Sequence, residues 1–324
     1  MADWKGRPRE FKRLWGYSVG FYGVWVAHVG RRTGLFEAIA KNPITADALA
    51  EQKGLDRNAV SVWCSAAESL GFLKRRGKKV LVPARVKEML LDKKSPLYLG
   101  GQFSYLALRS LDYGALEDLI KTGKRHEMTS SFDAIVEATD WDHHAFMSAA
   151  KSDRLRNILS KRCKVLDVGC GTGTFIEKML HEYPRSSFVG VEPSEAAHKA
   201  MEMAAGKPVE ILRQTGEQMS FENEFDLVYL GESLYAASAK QTIISNCLRA
   251  LKKSGMIAIV EGLIPEKVDD ESTLIMGMQL DFALQGYRFM TRKEMTSLLK
   301  EAGFAKITFA DFGGSLYLVT AGKP

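Results

Sequence analysis

A glycine-rich turn between an apolar run and a helical pattern is the feature that most constrains this chain. The run Lys-Val-Leu-Asp-Val at residues 164–168 predicts a buried parallel strand. Three glycines follow with the spacing G-x-G-x-G, and from about Thr172 the apolar residues recur at helical spacing. Strand, turn and helix form the first unit of a nucleotide-binding α/β fold, because glycines allow a tight turn and a close approach of a ligand to the backbone.

Two acidic residues indicate which ligand this turn would hold. Asp167 precedes the first glycine by two residues, where a carboxylate suits an ammonium group and not a pyrophosphate. Glu192 ends the next predicted strand, Phe188–Glu192, and an acid about 20 residues past the glycines is the expected partner of ribose hydroxyls. A nucleoside with a positively charged amino-acid tail fits both acids, and S-adenosylmethionine (SAM) has this structure.

Four segments in order give the chain a family resemblance. They are residues 165–173, 190–192, 225–228 and 251–255. With these segments the sequence resembles the class I SAM-dependent methyltransferases. A Rossmann oxidoreductase is the alternative, and the G-x-G-x-G spacing and the acid before the first glycine both count against it. The resemblance implies a Rossmann-like α/β domain with a seven-stranded sheet whose last strand is antiparallel.

The resemblance also implies which residues bind the cofactor. They are Asp167, Gly169, Cys170, Gly171, Gly173, Glu192, Pro193, Thr215, Gly216, Glu217 and Gly231. Many class I methyltransferases hold the adenine edge with an Asp-Ala pair after the third strand. This chain has Thr215-Gly216 there, which puts the carboxylate contact in doubt and leaves the backbone N–H of Gly216 to serve.

The first hundred residues predict a helical domain with a small hairpin. Helices are expected over residues 8–29, 46–53 and 57–70, and a hairpin is expected to turn at Gly77. This order is typical of a winged helix, for which DNA binding and dimerisation are two interpretations. The basic hairpin favours DNA binding, whereas the single basic residue of the second helix of the pair, Arg57, favours dimerisation.

The same region carries a second resemblance. The segments Gly34-Leu-Phe36, Leu49-Ala50 and Leu70-Gly-Phe-Leu73 resemble the N-terminal domain of dimeric small-molecule O-methyltransferases. This resemblance implies a homodimer formed through the N-terminal domain. The domains expected are therefore an all-α, winged-helix-like dimerisation domain over residues 1–100, a helical substrate-covering linker over 101–153, and the methyltransferase domain over 154–324.

Composition narrows the remaining classes of protein. The net charge of +6 comes from residues 1–100, which hold 19 Lys and Arg against 9 Asp and Glu, so nucleic acid must be weighed as a partner of that region alone. The four cysteines form no CxxC pair, which indicates neither a zinc site nor a disulfide framework. No run approaches the length of a membrane span, and the charged first ten residues are unlike a signal peptide, so we expect a cytoplasmic protein without a membrane partner.

The candidate catalytic residues lie after the fourth predicted strand and in the linker. The resembled O-methyltransferases often carry Leu-His-Asp-Trp here, with the His as base, whereas this chain reads Leu234-Tyr-Ala-Ala237. A tyrosine is a poor base at neutral pH, so Tyr235 is expected to contact the acceptor and Glu232 to orient acceptor or cofactor. His143 and His144 are candidate replacement bases. Tyr287 and Arg288 are candidate walls of the acceptor pocket. A structural or solvent-exposed side chain without a role in the chemistry is the alternative for these residues.

The sequence thus predicts a SAM-dependent methyltransferase acting on a small molecule, with oxygen as the first acceptor atom and sulfur, nitrogen or carbon as possible ones. Two alternatives stay open at this point. One is a winged-helix regulator that binds SAM or another metabolite without turnover, and the other is a protein methyltransferase. The sequence indicates neither the acceptor nor the pathway.

Overall fold

The computed structural model describes residues 6–95, 97–126, 138, 142–144, 146–150, 153–268 and 272–324. The described residues form two compact units. The first contains the described residues up to 114 and residue 138, and the second contains the described residues of 115–126 and 142–324. The sequence also predicts a helix over residues 132–136, which lie outside the described residues. The predicted domain boundaries stay a prediction.

The first unit consists of helices and one hairpin. Its helices are Arg9–Arg32, Leu35–Lys41, Ala46–Lys53, Arg57–Ser69, Ala84–Leu91 and Gly100–Ser110, and its strands are β1 (Lys74–Arg76) and β2 (Lys79–Leu81). Thr45 and Asp56 cap two helices by accepting hydrogen bonds from backbone N–H groups one turn later. Phe36, Trp63 and Val80 are buried in its core. Helix pair and hairpin therefore occur in the predicted order.

The second unit is built on a seven-stranded sheet. Its strands are β3 (Lys164–Val168), β4 (Ser187–Val191), β5 (Val209–Leu212), β6 (Phe225–Gly231), β7 (Leu251–Gly262), β8 (Ala305–Asp311) and β9 (Leu316–Gly322). The strand order is β5-β4-β3-β6-β7-β9-β8. The first five strands are parallel, and β9 runs antiparallel between β7 and β8. The predicted α/β fold with an antiparallel last strand is confirmed.

Helices and short turns complete the second unit. The helices are Leu116–Thr122, Asp153–Leu159, Thr174–Glu182, Ala196–Ala204, Lys240–Ala250, Thr273–Ala283 and Arg292–Ala302, and Gly216–Gln218 is a 3-10 turn. A further 3-10 turn, Tyr113–Ala115, lies where the two units meet in sequence. Thr291 and Glu294 form the capping box that opens the last helix. In the described residues, no helix is long and apolar enough to cross a membrane.

The strand order fixes where a ligand can bind. β3 lies between β4 and β6, so the chain changes direction across the sheet at the β3–β6 pair. In open parallel sheets, ligands bind beyond the carboxyl ends of the strands at this switch point. The segments after β3, β4 and β6 meet there, and they carry most of the residues predicted to bind cofactor.

Candidate functional site

The turn after β3 is shaped for close approach to its backbone. Gly169, Gly171 and Gly173 all have positive φ angles, of 82°, 54° and 82°. A Cβ on Gly169 would lie 2.6 Å from the Cβ of Ser233, so no larger residue fits without movement. The N–H groups of residues 169 and 170 donate to the carbonyl of Val191, at 2.8 and 3.1 Å, which ties the turn to the end of β4.

Asp167 is a buried acid without its full set of hydrogen bonds. Its side chain is 2% exposed. Its Oδ2 atom has no hydrogen-bond partner among the described residues. Burial, followed by the charge of Glu192, raises the pKa of Asp167 well above its usual value. A cation placed against this carboxyl would supply the missing hydrogen bond and relieve the repulsion between the two acids.

Glu192 follows β4 directly and is held by two backbone groups. Its Oε2 accepts a hydrogen bond from the N–H of Gly171 at 3.0 Å, and its Oε1 accepts one from the N–H of Ser194 at 2.9 Å. The carboxylate is thereby fixed beside the glycine turn. A carboxylate at this point can accept hydrogen bonds from the two hydroxyls of a ribose. Pro193, which follows, is exposed.

The segment after β5 forms the predicted adenine side of the site. Thr215 caps the 3-10 turn Gly216–Gln218 in a capping box with Gln218. The side-chain amide of Asn246 donates to the carbonyls of Gly216 and Glu217, both at 3.0 Å. Helix Lys240–Ala250, which carries Asn246, therefore fixes the backbone of this turn. No carboxylate stands at position 215 or 216 to contact an adenine.

An aromatic stack lies next to Asp167. Tyr229 pairs with Asp167 in the β3–β6 register, and its ring stacks on Phe175 with centroids 3.7 Å apart. The Tyr229 hydroxyl is buried, and it has no hydrogen-bond partner among the described residues. Burial and the nearby acids, Asp142 first, raise the pKa of Tyr229 well above its usual value, so the phenol stays neutral. This hydroxyl and Asp167 Oδ2 are two buried polar atoms that a ligand could satisfy.

The two candidate histidines occupy different environments. His143 is buried, with its ring 5.6 Å from that of Phe175, whereas His144 is half-buried. The structure thus places His143 beside the Phe175–Tyr229 stack. Asp142, which precedes it, is also buried. The catalytic roles proposed for the two histidines stay predictions.

Two acids lie near each other at the carboxyl ends of β6 and β7. Glu232 adopts a positive φ of 48°, and its Oε1 accepts a hydrogen bond from the N–H of Gly262 at 2.8 Å. Glu261 is fully buried and accepts hydrogen bonds from the N–H groups of Tyr235 and Leu234, at 2.9 and 3.3 Å. Burial raises the pKa of Glu232 to about 7, against the opposing hydrogen bond from Gly262. Burial and then the charge of Glu232 raise the pKa of Glu261 as well.

The side chain of Tyr235 is buried against other aromatic rings and is not open to solvent. Its ring stacks on Phe282 with centroids 4.3 Å apart and meets the edge of Phe289 at 5.5 Å. The side chain is 8% exposed. This packing is the alternative that the sequence left open for Tyr235, and an acceptor contact stays a prediction. Gly231, before Glu232, lies against the Tyr229 ring, since a Cβ there would come within 2.5 Å of the hydroxyl.

Sequence reasoning missed three residues of this site, namely Asp142, Tyr229 and Glu261. Each is a polar side chain that the fold buries at the switch point. Glu261, one residue before the end of β7, repeats the pattern by which Glu192 was found, an acid closing an apolar run, and that signal could have identified it. Among the described residues, no group of histidines, cysteines and acids could hold a metal ion.

Comparison with known proteins agrees with this geometry. Residues 165–255 match the family described as "Methyltransferase domain". O-methyltransferase 16 of Lophophora williamsii is 24% identical over 177 residues, which are 51% of this chain and 46% of that protein. A 3-hydroxy-5-methyl-1-naphthoate 3-O-methyltransferase of Streptomyces sahachiroi is 23% identical over 296 residues, which are 86% of this chain and 85% of that protein. The chain spans only 32% and 38% of the length of two other curated relatives that it matches.

Solved structures show the same fold over nearly the whole chain. The fold and the glycine turn with its two acids agree with the predicted resemblance to class I SAM-dependent methyltransferases, and the expected fold is confirmed. The chain is similar in fold to human N-acetylserotonin methyltransferase, which was solved in complex with SAM. The two share 19% sequence identity and a TM-score of 0.73, with 98% of this chain and 99% of the human chain covered.

Proposed function

We propose that this protein is a SAM-dependent methyltransferase that transfers a methyl group to a small-molecule acceptor. The observation that carries the proposal is the buried carboxyl of Asp167, one oxygen of which lacks a hydrogen-bond partner among the described residues, at the end of β3 and beside the glycine turn. A buried acid in that state calls for a cation, and the amino-acid end of SAM supplies an ammonium group.

The residues present fit the cofactor. Asp167 would bind the ammonium group, Glu192 the ribose hydroxyls, and the backbone at Thr215–Glu217 the adenine edge. The glycine turn leaves room for the nucleoside against the backbone. When bound, SAM supplies a methyl group on a positively charged sulfur. The acids Asp167, Glu192 and Glu232 give this end of the sheet a negative potential that suits such a cation.

Glu232 is the residue that we propose as proton acceptor. Its Oε1 is occupied by the Gly262 N–H, whereas Oε2 accepts no hydrogen bond from the described residues. Its pKa of about 7 is close to the value that suits a general base at neutral pH. As the acceptor oxygen attacks the methyl carbon, its proton would pass to Oε2 of Glu232. Transfer would leave the proton on Glu232 and the electron pair of the broken carbon–sulfur bond on the leaving thioether.

Oxygen is the acceptor atom that we place first. The Streptomyces relative, which spans 86% of this chain, acts, by its name, on the 3-hydroxyl of a naphthoate, and the Lophophora relative is also named an O-methyltransferase. A phenolic hydroxyl loses its proton more readily than an alcohol, which suits a carboxylate base of moderate strength. Glu261 would position this reaction by fixing the backbone of Leu234 and Tyr235.

We also propose that the protein is a homodimer formed through helix Arg9–Arg32. Every residue from 12 to 22 is exposed, and this stretch is rich in large apolar side chains. They are Leu14, Trp15, Tyr17, Val19, Phe21 and Tyr22, each between 41% and 66% exposed. Aromatic residues concentrated on an exposed helix are typical of a protein–protein interface. Light scattering on the purified protein tests this proposal.

The experiment that tests the enzymatic proposal is calorimetric titration with SAM and with S-adenosylhomocysteine, followed by a screen of phenolic acceptors with labelled methyl donor. Binding of either cofactor form and transfer of label to a small molecule are expected. A folded protein that binds neither would contradict the proposal. A protein that binds SAM and also binds DNA in a salt-dependent way, without turnover, would favour the regulator instead.

A further inference from the structure

The second unit contains a cavity that the cofactor residues do not line. Its volume is about 910 Å³, within the range of small-molecule sites. The loop after β6, the turn before the last helix and the outer face of that helix form its walls. Of the residues predicted for the site, Tyr235 and the two candidate pocket walls, Tyr287 and Arg288, contribute to them. The cavity is therefore distinct from the glycine turn.

The cavity is rich in positive charge. Four cations line it, Arg125, Lys240, Arg288 and Lys293, against two acids, Glu294 and Glu301. Arg288 and Glu294 neutralise each other through a hydrogen bond of 2.6 Å. The same bond, together with the N-cap contacts to Thr291, lowers the pKa of Glu294 to about 2. The Glu294 carboxylate is therefore ionised and already paired within the protein. The other charged residues of the lining are three cations, Arg125, Lys240 and Lys293, and one acid, Glu301.

Two of the three remaining cations have no partner in the part of the chain that the structure describes. The guanidinium of Arg125 and the ammonium of Lys293 make no hydrogen bond or ion pair there. Lys240 donates to the backbone carbonyls of Tyr235, at 3.0 Å, and Ala237. Carbonyls are neutral acceptors and do not compensate the charge of Lys240. Burial lowers the pKa of Lys240, and the charge of Glu261 opposes this shift.

The cation at the mouth of the cavity is held in place. The N–H of His126 donates to the carbonyl of Leu284 at 2.8 Å, which joins the 125–126 segment to the turn at Gly286. Arg125 lies directly on that glycine, since a Cβ at Gly286 would come within 2.6 Å of the guanidinium carbon. Gly286 has a positive φ of 83°, so both its conformation and its lack of a side chain admit the guanidinium.

We propose that this cavity binds a small aromatic carboxylate, with its acidic groups on Arg125, Lys240 and Lys293. The body of the ligand would lie against the apolar part of the lining, which includes Tyr287, Met290 and Leu298. Arginine and lysine bind carboxylates through charge-assisted hydrogen bonds, which are the stronger kind. The site does not depend on methyl transfer, so its test is a binding measurement without SAM.

The cavity also has a direct connection to the reacting end of the sheet. Lys240 holds the carbonyl of Tyr235 from the cavity side, while Glu261 holds the N–H of the same residue from the β7 side. A ligand carboxylate that engages Lys240 therefore acts on the segment that follows Glu232. Through this segment, occupancy of the cavity can alter the position of Tyr235.

The test is isothermal titration of the full chain with phthalate, which carries two carboxylates on one ring, and with benzoate and inorganic phosphate for comparison. We expect phthalate to bind with a dissociation constant of roughly 0.1–1 mM and benzoate to bind more weakly. Arg125→Gln and Lys293→Gln should each weaken phthalate binding about tenfold. Arg125→Lys, which keeps the charge but not the paired donors, should fall between wild type and Arg125→Gln.

Lys300→Gln is the matched control, because Lys300 lies exposed on the same helix as Lys293 but does not line the cavity. It should leave phthalate binding unchanged. Absence of phthalate binding, equal binding by wild type and the Arg125→Gln, Lys293→Gln double variant, or tighter binding of phosphate than of phthalate would each overturn the proposal. Melting curves of the variants show that each is folded, and SAM affinity reports separately on the proposed enzyme.

Discussion

The carboxylate of Glu192 accepts a hydrogen bond at 3.0 Å from the backbone N–H of Gly171, 21 residues earlier in the chain. This bond joins the end of β4 to the glycine turn and orients the acid before any ligand arrives. Glu192→Gln replaces one of the two accepting oxygens by a donor, so we expect SAM affinity to fall by about tenfold or more. Calorimetric titration measures the change, and unchanged affinity would contradict the role given to Glu192.

Asp167→Asn should separate binding from stability. The substitution removes a charge that is buried and repelled by Glu192, so the folded protein should be as stable as wild type or more so. SAM affinity should nevertheless fall by about 10- to 100-fold, because the ammonium group loses its charged partner.

Calorimetry and thermal unfolding of the same Asp167→Asn sample test both parts. Glu210→Gln, a change of an exposed acid on the neighbouring strand β5, is the control and should alter neither quantity. A variant that loses stability and affinity together would indicate that Asp167 is only structural.

Much of the second unit could be predicted from the sequence. Apolar runs closed by glycines or acids identify buried parallel strands, and Thr291-Arg-Lys-Glu294 identifies the start of the last helix; all these elements are present. The sequence predicts that the helix after β6 runs to about Lys252 and that the next strand begins at Met256, whereas the helix ends at Ala250 and β7 begins at Leu251. The sequence does not reveal this since Lys252 and Lys253 suit an exposed helix end equally well. Lys252 instead pairs with Asp226 on β6, at 2.8 Å.

The glycines and acids of the candidate site could be predicted because they lie on consecutive segments with fixed spacing. The Phe175–Tyr229 stack and the Glu232–Glu261 pair could not, because each joins residues that are far apart in sequence and meet only through the strand order. Register places Tyr229 opposite Asp167, and only the folded sheet defines that register. The cavity around Arg125 could not be predicted for the same reason. Tyr287 and Arg288, which line it, are nevertheless among the pocket walls that the sequence predicts.

Gly169→Ala should destabilise the second unit more than an ordinary glycine substitution. The new Cβ would meet the Cβ of Ser233 at 2.6 Å, and φ is 82°. We expect a loss of about 2–4 kcal/mol in the free energy of unfolding. Gly206→Ala is the matched control, because Gly206 has a φ of 72° but open space around it, and it should cost about 1 kcal/mol.

Combining Gly169→Ala with Ser233→Gly should restore part of the lost stability, because it removes the side chain that the new Cβ meets. Urea denaturation of the two single variants and the double variant gives the coupling energy. Strict additivity of the two changes would show that the contact with Ser233 is not the cause.

Glu232→Gln should remove a pH dependence as well as activity. If Glu232 accepts the proton, wild-type kcat/KM rises as pH increases through about 7, the pKa of this acid. The variant should lose that rise together with about 100-fold or more of the rate. A variant that keeps both the rate and the pH profile would exclude Glu232 as the base and direct attention to His143.

Stability gives an independent test of Glu232 that needs no acceptor. Because its folded pKa is raised, the folded protein keeps a proton that the unfolded chain has lost between the ordinary pKa of a glutamate and about 7. Wild-type stability therefore falls as pH rises through this window, and the loss is complete above it. Glu232→Gln lacks this loss. The melting temperature of the variant, relative to that of wild type, should therefore increase as pH rises from about 5 to about 8.

The proposed dimer depends on an exposed aromatic stretch, and charge within it should separate the subunits. Trp15→Glu combined with Tyr22→Glu introduces two acids where the side chains are now 50% and 66% exposed. Since neither side chain lies in the core of its own unit, the monomer should remain folded. The dimer should be destabilised because two charges would have to be desolvated in the interface. Light scattering should report half the wild-type mass.

Val62→Glu, at an apolar residue that is 70% exposed on another helix, is the control and should leave the mass unchanged. A wild-type protein that is already monomeric, or a double variant that stays dimeric, would show that this helix is not the interface.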